Sequence, residues 1–313
     1  MGGLTSVEIC AGAGGQALGL EQAGFGHEAA VEFDADACET LRRNRGADWK
    51  IIEADVADLD GRQFRGIDLL AGGVPCPPFS IAGRQLGAGD ERDLFPQALR
   101  LAAEIGPRAV LLENVRGLAA RRFDSYRSSV LARLHVLGYR TWWELAHASD
   151  YGVPQLRPRF VLVALREPWA SAFRWPPPSA QPPPPVGAVL RDLMAARGWP
   201  GAAEWAAGAQ AIAPTIVGGS RKHGGPDLGP TRAREAWRKL GVDGLGIADD
   251  APGPDWPAGQ RPKLTVPMVA RLQGFPAGWV FAGRKTAAYR QVGNAFPPPV
   301  ARALGLAIRE ALG

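Results

Sequence analysis

Short apolar runs alternate with helix-patterned segments through the first half of the chain. SVEIC runs into a glycine turn, AGAGG, and then into QALGLEQAG, which reads as a helix closed by Gly24. HEAAVEF precedes DADACETLRRN, with Asp34 placed to cap the helix. IDLLAGG, RAVLLEN and RFVLVAL read as further strands, with FPQALRLAAEIG as the helix between the first two. Parallel strands can be joined only by long crossovers, usually helical, so this alternation predicts an α/β fold. Its sheet should be mostly parallel and covered on both faces. The 313 residues suffice for two domains.

Composition narrows the function classes. Apolar residues make up 46% and charged residues 21%, as in an ordinary soluble globular protein. No run of about 18 apolar residues reads as a membrane span. The opening MGGLTSVEIC carries no basic and apolar leader pattern, so a cytoplasmic location is expected. Three cysteines, an odd count with no Cys-x-x-Cys pair, argue against a disulfide framework and a cysteine zinc site. Four histidines in no metal-binding pattern argue against a metal enzyme. A formal net charge of +5 permits a polyanionic partner.

The pattern changes past Trp169. WPPPSAQPPPP, residues 175 to 185, should be an extended, stiff spacer. From 186 to 260 helical period is weak, and one stretch, GGSRKHGGPDLGPTRAREAWRKLG, sets basic residues among glycines. Regular structure is expected again from VPMVARLQGF to a final amphipathic helix, PVARALGLAIREAL.

Two constellations point to chemistry. Gly12-Ala13-Gly14-Gly15-Gln16-Ala17 fits G-x-G-x-x-A between a strand and a helix, and Glu32 follows 20 residues after Gly12. Glycines there let the backbone approach a nucleotide, and the acid bonds ribose hydroxyls. Asp55, at the next strand end, could accept from an adenine amino group. This pattern alone does not separate a nicotinamide cofactor from S-adenosylmethionine.

The second constellation is GGVPCPPFS, where Cys76 stands between Pro75 and Pro77. Prolines are excluded from helix and strand interiors, so this thiol is expected on a rigid, irregular segment at the C-terminal edge of the sheet, where α/β proteins place ligands. Glu113 ends the strand AVLLENV and is a candidate proton donor. Gln155, Arg157 and Arg159 alternate along an extended segment.

The motifs EICAGAGGQALGLEQAGF, VEFD, ADV, GGVPCPPFS, RDLF, ENVRGL, QLRPRF, RLQGFP and QVGNAFPP occur in this order. Together they resemble the DNA (cytosine-5) methyltransferase family, over the first 165 residues and the last 50 or so. The resemblance implies a Rossmann-like S-adenosylmethionine-dependent domain, residues 1–165 completed by 262–313, and a small irregular target-recognition domain over 166–261. It implies Cys76 as the nucleophile that adds to cytosine C6, Glu113 on N3 and the exocyclic amine, Arg159 on O2, and Arg157 supporting the loop or a phosphate. It assigns Cys10, Gly12, Gly14, Gly15, Glu32, Phe33, Asp55, Val56, Pro75, Leu94, Asn294 and Ala295 to the cofactor. Cys10 stands where the family usually has an aromatic residue.

The target base would be flipped out of the duplex. Residues 80 to 93 read as a loop that closes over DNA, with Ser80, Arg84 and Gln85 as contacts. Thr215 resembles a Thr-aliphatic marker of the recognition domain. Arg221, Lys222, Arg232 and Arg234 are candidate DNA contacts, since arginine on guanine is the commonest specific base contact. Double-stranded DNA is the implied partner, read by a monomer with a cognate restriction endonuclease, and no metal is implied. The rivals are a tRNA cytosine methyltransferase on the same scaffold, a catalytically inactive DNA-binding protein, and an NAD-dependent dehydrogenase. The tRNA branch carries a Cys-Phe-Thr marker that is absent here.

Overall fold

A computed structural model describes residues 3–74, 93–218 and 227–313. β1 (Thr5–Ile9) runs into α1 (Gly15–Gln22), and β2 (Gly26–Glu32) into α2 (Ala35–Arg45). β3 (Ile51–Glu53) and β4 (Leu69–Gly73) precede α3 (Phe95–Ile105). β5 (Ala109–Val115), α4 (Asp124–Val136), β6 (Tyr139–His147) and β7 (Pro158–Arg166) follow. The strands form one sheet in the order β3-β2-β1-β4-β5-β7-β6. The pairs β2–β3, β1–β2, β1–β4 and β4–β5 are parallel, and β7 is antiparallel to β5. The expected α/β fold with a mostly parallel sheet is therefore present.

Alternation along the strands explains the layers. Val7, Ile9, Leu70, Val110, Leu112 and Leu162 point to one face and bury against Leu99, Leu101 and Ala102 of α3 and Leu134 of α4. Burying each such side chain contributes roughly 1.5–3 kcal/mol. Ser6, Glu8, Ala71 and Leu111, the residues between, point the other way, where α1 lies. The Asp34 cap forms as expected, its carboxylate accepting from the N–H groups of Asp36 and Ala37 at 3.0 and 3.2 Å. Strand order reverses between the parallel neighbours β1 and β4, the place where open α/β sheets put ligands beyond their strand ends. The glycine turn follows β1 there. Gly73 ends β4 there, and Val74 is the last described residue before Pro75.

The chain divides into two compact units. The first comprises residues 1–146, Pro158–Pro177 and Val300–Gly313; the second comprises His147–Arg157 and Pro178–Pro299. The short α5 (Trp169–Ala172) belongs to the first unit. The second holds α6 (Val186–Ala195), α7 (Ala202–Gly208), α8 (Thr231–Lys239), α9 (Val266–Gln273) and α10 (Lys285–Asn294). The proline-dense stretch has no regular structure, as expected. Residues 186 to 260 are more helical than their weak period suggests. α6 and α8 start directly after Pro185 and Pro230, which stand at their N-caps in extended conformation. Proline's missing N–H costs nothing at a helix start, so short helices can begin inside a proline-rich sequence. Finally, α11 (Pro298–Leu312) returns to the first unit and lies on α1, where Gly305 faces Leu20 and Ala23.

Candidate active site

The glycine turn after β1 is built on left-handed backbone. Cys10, Gly12 and Gly14 have φ of 50°, 52° and 81°. Such values suit glycine and strain other residues, so Cys10 is a non-glycine exception. The turn is tied to β2 through Glu32, which is buried. One carboxylate oxygen accepts the Gly12 N–H at 2.7 Å; the other accepts the N–H groups of Phe33 and Asp34, each at 2.9 Å. Burial pushes the Glu32 pKa above its ordinary value, and the three N–H donors oppose that push. A carboxylate offers about four acceptor sites, so one is left for a ligand hydroxyl.

Phe33, the next residue, is 69% exposed, an unusual state for a large aromatic side chain. Asp55 is exposed and uses one carboxylate oxygen to cap the turn at Ala57, while Val56 is buried behind it. Leu94, at the N-cap of α3, is partly buried against the core. Gly15 opens α1.

The Cys10 and Cys38 thiols are both pushed up. For Cys10 the causes are burial first, then Glu32, Asp55 and Glu8. Cys38 is pushed up to about 12, by burial and then by Glu32 and Glu53.

Glu113 sits at the end of β5, opposite Gly73 of β4 and Val161 of β7. A side chain at Gly73 would come within 3.4 Å of the Glu113 carboxylate, so glycine leaves that carboxylate its room. Arg159 lies diagonally across on β7, its Nε 2.6 Å from Glu113 Oε1. The side chains are 12% and 10% exposed. The contact is a close pairing of opposite charges. Desolvation lowers the Arg159 pKa, and Glu113 opposes that shift.

Asn114, beside Glu113, donates from Nδ2 to the Val74 carbonyl at 2.9 Å. Asp93 is buried and accepts from the Phe95 N–H at 3.1 Å and from the Tyr126 hydroxyl. Val74 and Asp93 are the described residues on either side of 75–92. Pro75, Cys76, Ser80, Arg84 and Gln85 lie outside the described residues.

The other expected site residues belong to the second unit. Arg157, grouped with the catalytic residues by resemblance, is 0% exposed. Its Nη1 donates to the Ile216 carbonyl at 2.8 Å, and its Nη2 to the Gly293 and Ala295 carbonyls at 2.9 and 2.7 Å. This is an anchoring geometry, with the guanidinium turned to main chain. Gln155 completes it: its Oε1 accepts the Ile216 N–H at 2.8 Å, so both polar groups of that residue are held. Thr215, next to Ile216, is partly buried. Asn294 is exposed, and its side-chain oxygen lies against Gly218. On α8, Arg232 is exposed, whereas Arg234 is half-buried, packs on Gly244 and donates to Thr231 at 3.2 Å. Arg221 and Lys222 lie outside the described residues. Among the described residues no group of three or more His, Cys, Asp or Glu could hold a metal ion.

A strand order that reverses at β1/β4, a left-handed glycine turn and an acid at the end of β2 define a Rossmann-like fold with a nucleotide-type cofactor site. The methyltransferase EhMeth of Entamoeba histolytica shares the fold: the TM-score is 0.70 at 13% identity, with all of both chains covered. The sequence matches the C-5 cytosine-specific DNA methylases over residues 4–224 and 226–310, and the chain belongs to that family. It is 61% identical over 316 residues to the type II methyltransferase M.NaeI of Lentzea aerocolonigenes, which covers all of this chain and 76% of the relative. It is 51% identical to the type II methyltransferase M.NgoMIV of Neisseria gonorrhoeae, with 98% of each chain covered.

Proposed function

We propose that this chain is a modification enzyme that methylates C5 of a flipped-out cytosine in a specific duplex DNA sequence, with S-adenosylmethionine as methyl donor. Its substrate places it in the bacterial cytoplasm. It works as a monomer on the same sites as a cognate restriction endonuclease. The observation that carries the reading is the Glu113–Arg159 ion pair at the ends of β5 and β7, beside the end of β4, in a chain whose next motif after β4 is PCPPFS.

The residues present fit the donor. Gly12 leaves its side of the turn open, Glu32 has an acceptor site to spare, and the Phe33 ring offers an exposed face for an adenine. Cys10, Gly15, Asp55, Val56, Pro75, Leu94, Asn294 and Ala295 complete the set of residues for it. When bound, the donor supplies an activated methyl group.

The chain's own residues make the base reactive. Cytosine C5 is a poor nucleophile. The Cys76 thiolate adds to C6 and forms a C–S bond, and the displaced electron pair makes C5 enamine-like. Glu113 holds N3 and the exocyclic amine, and Arg159 holds O2, so the charge pushed onto the ring meets fixed partners. Arg157 holds the supporting main chain. After C5 has taken the methyl group, loss of the C5 proton returns the electron pair to the ring and expels the thiolate. Residues 166–261 read the target, with Thr215, Arg221, Lys222, Arg232 and Arg234 among the DNA contacts, and Ser80, Arg84 and Gln85 reach the DNA from the segment after Cys76.

The test uses duplex DNA carrying 5-fluorocytosine at the target. Fluorine cannot leave as a proton does, so the enzyme with S-adenosylmethionine should be trapped as an adduct that mass spectrometry places on Cys76. Cys76→Ser should give no methyl transfer and no adduct. An adduct on another residue, or turnover by the serine variant, would overturn the mechanism.

A further inference from the structure

Tyr289 lies on α10, and its side chain is 1% exposed. Its hydroxyl stands 3.0 Å from the Val217 carbonyl and 2.7 Å from the Asp227 carbonyl. These two residues flank 218–226, the start of the basic glycine-rich stretch noted in the sequence. One phenol proton is thus shared between the chain entering that stretch and the chain leaving it. Burial and the neighbouring Asp227 push the phenol pKa upward, so the proton stays in place at any working pH.

The same entering chain is held in two more places. Gln155 and Arg157 grip Ile216 on both its N–H and its carbonyl. Gly218 meets Gly293 so closely that a Cβ on Gly293 would come within 2.5 Å of the Gly218 Cα. The leaving chain has its own lock, the Asp227 carboxylate accepting the Gly229 N–H at 3.1 Å. Of these contacts, only the Tyr289 hydroxyl joins the two chains to each other.

We propose that Tyr289 is a specificity-determining positioning residue: by tying Val217 to Asp227 it sets the spacing of the two stems that carry the target-reading stretch. The inference rests on the proposed reading of this region as target recognition. A base-reading side chain is only as selective as its placement, because wrong bases are rejected by geometry. Loosening the stems should therefore weaken discrimination among sites more than it weakens turnover at the right one.

The experiment compares Tyr289→Phe with Tyr139→Phe. Tyr139 is also buried, and its hydroxyl donates to a single carbonyl, that of Pro107, in the first unit. Both changes delete one buried hydroxyl, so Tyr139→Phe reports the effect of lost stability alone. Unmethylated genomic DNA is treated with each purified enzyme and S-adenosylmethionine, and 5-methylcytosine is mapped by bisulfite sequencing. Wild-type methylation at one defined sequence tests the underlying reading by itself.

Tyr289→Phe should keep kcat at that sequence within about threefold while the ratio of cognate to single-mismatch methylation falls about tenfold, the size expected for one hydrogen bond. Tyr139→Phe should keep the wild-type ratio. If Tyr289→Phe keeps the wild-type ratio, or if both variants lose it equally, the assignment is wrong. If the wild type methylates no defined sequence, the reading of the region fails first.

Discussion

Arg157 and Arg159 stand two residues apart on one extended segment, the first buried and the second mostly so, yet they belong to different kinds of site. Arg157 faces three main-chain carbonyls and serves as a fork that holds polypeptide. Arg159 donates to one main-chain carbonyl, that of Pro158, and sets its Nε 2.6 Å from the carboxylate of Glu113. Carbonyl oxygens fix a position and do not titrate, so the first arrangement is permanent structure. A charge paired with a charge can re-aim when a ligand offers better partners, so the second suits the base-holding role proposed for it. Residue type, burial and spacing do not separate the two; the partners do.

Removing a charge from the reactive pair should give the largest effect. Glu113→Gln leaves the Arg159 guanidinium buried without its counter-charge, a situation that costs about 3–5 kcal/mol. The expected outcome is a clear fall in the urea midpoint together with loss of turnover. A variant that stays as stable as wild type would show that the pair is more solvated than the 12% and 10% side-chain exposures suggest.

Making one substitution at both arginines sharpens the contrast. Lysine keeps the charge, but its single ammonium cannot span the carbonyls that two guanidinium nitrogens reach at Arg157. Arg157→Lys should lose about 1–3 kcal/mol of stability, the penalty for leaving a buried carbonyl unmet. Its remaining folded fraction should turn over at nearly the wild-type rate. Arg159→Lys should do the opposite, with a small change in melting temperature and roughly 100-fold slower turnover, as when one charge-stabilising donor is lost. Equal patterns from the two variants would erase the distinction.

A third buried group tests what happens when a charge has neither kind of partner. Glu8 is 1% exposed; it accepts the Ala17 N–H, and among the described residues its Oε2 meets no hydrogen-bond partner. Burial raises its pKa well above the ordinary glutamate value of 4.5. The folded chain then keeps a proton that the unfolded chain releases above that value. Its contribution is fully present below pH 4.5 and is lost as pH rises through the raised folded value. Glu8→Gln should remove this slope and gain on the wild type between pH 5 and pH 8. Denaturant midpoints at the two pH values measure it, and a parallel shift of both proteins would contradict it.

Much of the fold could be read from the sequence because its strands are short, apolar and bounded by glycine. β1, β2, β4, β5 and β7 and the helices α1, α2 and α3 follow from that. α4 and β6 did not announce themselves: α4 buries only Val130 and Leu134, and β6 is an edge strand with several half-exposed residues. α10 was missed too. The site was legible where a residue sits at a strand end beside a recognisable turn, as Glu32 and Glu113 do. It was not legible where the meaning of a residue lies in distant partners. Arg157 finds its carbonyls 59, 136 and 138 residues away, and Tyr289 its two at 72 and 62. No local pattern encodes such separations.

The raised thiols of Cys10 and Cys38 have a practical side. A protonated sulfur is a poor target for alkylating agents and peroxides, and both of these keep their protons far above neutrality. On the proposed mechanism, Cys76 is the cysteine of the three expected to react. With Cys76 as the attacking sulfur, each equivalent of a thiol reagent consumed at neutral pH silences one molecule. A simple colorimetric titration thus becomes a head-count of competent enzyme, and oxidative damage to a preparation can be read as a single number.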